Sequence, residues 1–167
     1  MKFLYYLLLL VSCFVSDSLY AKSKISDQFE IYVKSRFKYQ LCYPSFMIPQ
    51  GESDNGDGQV LSAKDGASIR AFGSYSLSAI NNNDLVKDTA QELEWILGKH
   101  GRVTYRVSYR QWAVISGYDK MGQIFYIKAI AGDDGQSMYA ILTYLVTQRF
   151  VYDPLSNKIS NCFKAIK

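Results

Sequence analysis

Two runs near the C-terminus, QIFYIKAIA (123–131) and SMYAILTYLV (137–146), are apolar at odd and even positions alike. Successive strand residues point to opposite faces, so such a strand must be covered on both sides. Between the runs lies GDDG (132–135), a hairpin turn. Strands joined by a hairpin are antiparallel. The chain is therefore committed to an antiparallel sheet with material packed on each face. Its 167 residues suffice for one domain with its own core.

The remaining elements follow from periodicity. RFKYQLCYP (36–44) puts Phe37, Tyr39, Leu41 and Tyr43 on one face of a strand ended by Pro44, with Cys42 on the other face. QVLSA and ASIRAFG flank KDG (64–66), a hairpin loop with Gly66 available for positive φ. NNND then opens a helix with Val86, Ala90, Leu93 and Leu97 on one stripe, capped by Asn83 or Asp84 and ended by Gly98 or Gly101. A strand at 102–110 alternates cleanly, and a second at 111–117 carries Trp112. A final helix takes Asp153 as N-cap and Pro154 as first residue. Its stripe is Leu155, Ile159, Cys162, Phe163 and Ile166. Residues 22–35 fit either a strand or a helical turn. The fold class is thus α+β, one domain over 36–167 with helices against an antiparallel sheet, preceded by an N-terminal segment at 22–35.

Residues 1–21 have the form of a signal peptide: Lys2, the apolar run FLYYLLLLVSCFV, and Ala21 at the cut. The run is too short for a transmembrane span, and no later stretch of the mature chain could cross a bilayer. Cleavage predicts a periplasmic or secreted protein. The alternative is a lipoprotein anchored through Cys13, since LVSC precedes that position. Cleavage after Ala21 leaves Cys42 and Cys162, which in an exported chain read as one disulfide; two buried thiols are the other reading. The net charge of +4 is too small and dispersed for a nucleic-acid partner.

Three segments, YQLCYPSFMIPQGESDNGDGQ, WAVISGYDKMGQIFYIKA and LTYLVTQRFVYDPLSNKISNCFK, resemble small exported bacterial proteins of mostly unassigned function. Those are similar to the Mog1/PsbP-like α/β/α sandwich. The resemblance runs from about Arg36 to Lys164, and none of its motifs is catalytic. It implies the fold and a habit of binding other proteins, because relatives include photosystem accessory proteins, a small-GTPase partner, secretion chaperones and immunity proteins. A shared fold does not fix a function.

The acidic stretch GESDNGDG (51–58) holds Glu52, Asp54 and Asp57. Placing Gly58 at the sixth position of a calcium loop puts Ser53 first and Lys64 twelfth, where Asp and Glu are required. An irregular calcium site or a hydrolase carboxylate pair are the alternatives to a polar turn. Arg102, Arg106 and Arg110 fall on one face of an ideal strand, as an anion-facing row or a solvated surface. The single histidine, His100, suits a helix C-terminus. Multi-histidine metal sites, hydrolase triads and nucleotide loops have no support. The expectation is a non-enzymatic protein-binding module with no cofactor or metal. Its candidate contacts are Glu52, Asp54, Asp57, Arg102, Arg106 and Arg110, and its alternative function is a metal-binding protein or hydrolase centred on 51–58.

Overall fold

The computed structural model describes residues 28–75, 92–132 and 135–166. In chain order the strands are β1 (Phe29–Lys34), β2 (Tyr39–Pro44), β3 (Ile48–Glu52), β4 (Gly58–Ser62), β5 (Ser68–Tyr75), β6 (Arg102–Ser108), β7 (Trp112–Tyr118), β8 (Ile124–Ala131), β9 (Gln136–Tyr144) and β10 (Lys164–Ala165). A helical segment at 92–97, α1, precedes β6. A 3-10 turn (Val146–Gln148) leads from β9 into α2 (Arg149–Cys162). Seven strands form one antiparallel sheet in the order β3-β4-β5-β9-β8-β7-β6, and β1-β2-β10 form a second, smaller one.

The two doubly apolar runs become the central strands β8 and β9. One face of the large sheet carries Ile69, Met138 and Leu142, packed with Leu41 of β2 and with Tyr152, Ile159 and Phe163. The opposite face carries Phe125, Ile127, Tyr139 and Ile141, packed with Leu93 and Ile96 of α1. Helical material thus lies on both faces, giving the expected α+β sandwich around an antiparallel sheet. Gly73 shows how tightly the layers meet: a Cβ there would lie 2.1 Å from Cγ of the buried Phe37.

Several local expectations change. The segment 22–35 resolves at its end into β1, which pairs antiparallel with β2. Phe37 is buried from the β1–β2 turn, not from the strand. The last helix starts at Arg149, so Asp153 is not its N-cap and Pro154 lies inside it. Pro154 deletes the bond to the carbonyl of Phe150, a residue 94% exposed. Asp153 is engaged elsewhere: it accepts a hydrogen bond from the Tyr144 hydroxyl at 2.6 Å and pairs with Arg149. The helix stops at Cys162, because Phe163 turns to extended geometry and β10 pairs with β2. Ile166 is therefore not on its stripe. Gly98, at φ +50°, ends α1. The proposed caps Asn83 and Asp84, with Val86 and Ala90, lie outside the described residues. So do residues 1–27, which hold the leader, Ala21 and Cys13. Among the described residues no helix is long and apolar enough to cross a membrane.

Cys42 and Cys162 are joined as a disulfide, with Cα atoms 5.6 Å apart. The bond ties α2 to β2. Such a bond fits an oxidising compartment.

Candidate functional site

The acidic stretch is the β3–β4 hairpin, and it folds back on the small sheet. Glu52 accepts a hydrogen bond from the Tyr32 hydroxyl at 2.7 Å and forms an ion pair with Lys34. Asp57 pairs with Arg36 at 3.0 Å, and the same guanidinium donates to the Asn55 carbonyl at 2.6 Å. The Ser53 hydroxyl accepts from the Asp57 amide and closes the turn. Asp54 alone of the three acids is exposed without a partner among the described residues. The hydrogen bonds from Lys34 and Tyr32 hold the Glu52 carboxyl below its usual value. Burial, reinforced by the bond to Glu52, pushes the Tyr32 hydroxyl up. A cation or substrate at this loop would have to displace Lys34 and Arg36, so the geometry favours a structural latch.

The latch has a definite pH dependence. A carboxylate whose folded pKa is lowered stabilises above its unfolded pKa, about 4.3 for glutamate, and loses that contribution as pH falls through the folded value. Wild type is therefore expected to exceed Glu52→Gln in urea midpoint at about pH 6, with the gap closing below about pH 4. Solvent exposure keeps the gap small and salt narrows it. A gap of the same size at both pH values would rule out this role for Glu52.

A cleft of about 400 Å³ lies between this hairpin and β5, lined by Arg70, Phe72 and Glu92 among others. Its charges are already neutralised. Arg70 pairs with Glu92 at 2.9 Å, and Glu52 and Asp57 hold Lys34 and Arg36. It offers an incoming ligand no unmet electrostatic demand.

The opposite end of the sheet differs. Two hollows of about 260 and 270 Å³ share Tyr126 and run between α2 and the strands β6, β7 and β8. Their floor is aromatic, with Tyr105, Trp112, Tyr118 and Tyr126. Tyr105 is 54% exposed. Tyr109, 60% exposed, lies against Trp112 with ring centroids 4.6 Å apart. The wall is the polar flank of α2, where Asp153, Asn157, Ser160 and Asn161 recur at helical spacing. Cys162 sits on the other flank, toward β2. The disulfide therefore draws α2 over the small sheet and leaves the β6–β7 end uncovered.

At the floor stands Lys128. Its ammonium donates to the Ser160 carbonyl at 2.7 Å and lies 5.9 Å from the Trp112 ring centroid. It has no carboxylate partner among the described residues. Burial lowers its pKa, the direction expected when a cation is desolvated without a counter-charge. Arg102 lies over the Tyr118 ring at 4.3 Å, also without an acid among the described residues.

The arginine row does not survive folding. Arg102 pairs across from Tyr118 and Arg106 from Ile115, with a register shift between Val103 and Tyr105. One extra residue there reverses the alternation. Arg102 then shares the Tyr118 face with the groove, while Arg106 shares the Ile115 face with the α1 side. Arg110 lies beyond β6, in the turn before β7. Sequence reasoning missed Lys128, Tyr105 and Tyr126. A usable signal was present in the helix: Asp153, Asn157 and Asn161 form a polar stripe beside Leu155 and Ile159.

No family model matches the chain, and no curated protein matches it. Among solved structures it is similar to the solution structure of cyanobacterial PsbP (CyanoP) from Synechocystis sp. PCC 6803. The TM-score is 0.57 at 12% identity, over 82% of this chain and 92% of that one. The chain has a PsbP-like fold.

Proposed function

We propose that this protein is an exported, non-enzymatic protein-binding module of the bacterial envelope, an accessory or immunity factor that grips its partner in the groove between α2 and β6–β7. The observation that carries the reading is the pair of exposed tyrosines, Tyr105 and Tyr109, beside the half-buried Trp112 and an open polar helix flank. Tyrosine and tryptophan dominate binding energy when a partner desolvates them, and surrounding charges set rate and specificity. The disulfide supports export, because such bonds persist in oxidising compartments.

The test is affinity capture from envelope extracts with wild type and a Tyr105→Ala/Trp112→Ala variant, both confirmed folded by circular dichroism. Loss of hot-spot residues costs about 2 kcal/mol or more, so recovery of the specific partner should fall at least ~10-fold. Arg106→Glu, on the opposite face, should leave recovery unchanged. If Arg106→Glu abolishes capture while the aromatic variant retains it, the binding face is wrong.

A further inference from the structure

Resting on the protein-binding reading, we infer that the groove takes an extended peptide segment of the partner and seats one of its acidic side chains on Lys128. Three observations converge. The first is an unmet charge: Lys128 is half-buried at the groove floor, and its contacts are the Ser160 carbonyl and the Trp112 ring. The one carboxylate in the lining, Asp153, is held by Tyr144 and Arg149. With Arg102 over Tyr118 at the same face, the groove carries excess positive charge, and an incoming carboxylate would meet a desolvated cation instead of a hydrated one.

The second observation is dimension. The helix wall runs from Arg149 to Asn161. The twelve steps between them at helical rise make roughly 18 Å, the length of about five or six extended residues. The third is the chemistry of the wall. The Asn161 amide donates to the Asn157 side-chain oxygen at 3.3 Å, which leaves the Asn157 NH2 to donate and the Asn161 oxygen to accept. Such groups suit a peptide backbone, while the aromatic floor accepts its alternate side chains. An extended peptide uses all three features. An anionic lipid surface would use the charge and leave the helix wall unused, and an acidic polysaccharide lacks the backbone N–H groups that would pair with the amide acceptor.

The experiment selects from a displayed library of random heptapeptides on the immobilised full chain, with Lys128→Gln and Lys128→Arg run in parallel. The expected result is enrichment of Asp or Glu at one position by at least ~5-fold, retained in Lys128→Arg and lost in Lys128→Gln. Thermal unfolding of each variant confirms folding. Should Lys128→Gln fail to fold, Asn157→Ala/Asn161→Ala replaces it, with weaker retention of the selected peptides expected. Carboxylate enrichment that persists in Lys128→Gln overturns the proposal, as does selection with no acidic preference or no selection at all. Polygalacturonate and phosphatidylglycerol vesicles form separate arms. Tighter Lys128-dependent binding to either than to the selected peptides would also overturn it. If the aromatic variant loses partner capture while no acidic preference emerges, the binding-module reading stands and this inference falls.

Discussion

Replacing both Cys42 and Cys162 by alanine is expected to lower the unfolding free energy by about 5 kcal/mol. The bond joins residues 120 apart in sequence, so it forbids a large set of open conformations to the unfolded chain. In the chain-entropy account the effect grows with the logarithm of loop length, and residual structure in the unfolded state reduces it. Ordinary domains hold only about 5–15 kcal/mol in total. The variant should therefore unfold at a much lower guanidinium concentration, or fail to accumulate folded at 37 °C. Wild type in strong reductant should match it. The native contribution is local: the bond holds the C-terminal end of α2 to β2, on the flank away from the groove. Partner capture should consequently fall in reduced protein that is still folded. Equal midpoints for oxidised wild type and the double variant would sink the prediction.

The parts of the fold that were legible in the sequence are those written in local periodicity. β8 and β9 are apolar on both faces over eight and nine residues, and such a strand fits only the centre of a sheet covered on both sides. The 64–66 hairpin is equally local, with Gly66 at φ +90°. The cysteine pair was legible by counting. The misread features depend on single residues or distant partners. One bulge residue in β6 moves Arg102 and Arg106 to opposite faces, and nothing local in RVTYRVS announces it. The Asp153-Pro154 pair has the form of a helix start, yet Tyr144 recruits that carboxylate from another strand. Glu52 and Asp57 looked available because Lys34 and Arg36 are 18 and 21 residues away. The groove was the hardest to see, because it is a space. It exists because α2 leans toward β2, and its floor residues come from three different strands.

The second large effect belongs to Phe163. Its side chain is fully buried, although it lies one residue beyond the end of α2 and its backbone is already extended. The amide still bonds the Ile159 carbonyl at 2.9 Å, so the ring position is set by the last helical turn. That ring meets Tyr39 edge to face at 5.5 Å, and Tyr39 meets Tyr32 in the same way at 6.0 Å. Tyr32 in turn holds Glu52. Phe163 therefore stands at one end of a packed row that joins α2, the small sheet and the acidic hairpin. Phe163→Ala removes buried apolar surface and leaves a cavity beside Tyr39, whose bulk and hydroxyl restrict collapse. The expected cost is about 3–5 kcal/mol. Phe150→Ala, inside α2 but 94% exposed, should change stability by less than about 0.5 kcal/mol. Cys162 neighbours Phe163, so the two should couple: with the disulfide broken the helix end is held less firmly, and Phe163→Ala should cost less by about 0.5–3 kcal/mol. Urea melts of the double-mutant cycle, run with a stabilising osmolyte to keep the weakest variant folded, measure both quantities. A cost for Phe163→Ala no larger than that for Phe150→Ala would show that this ring does not anchor the helix.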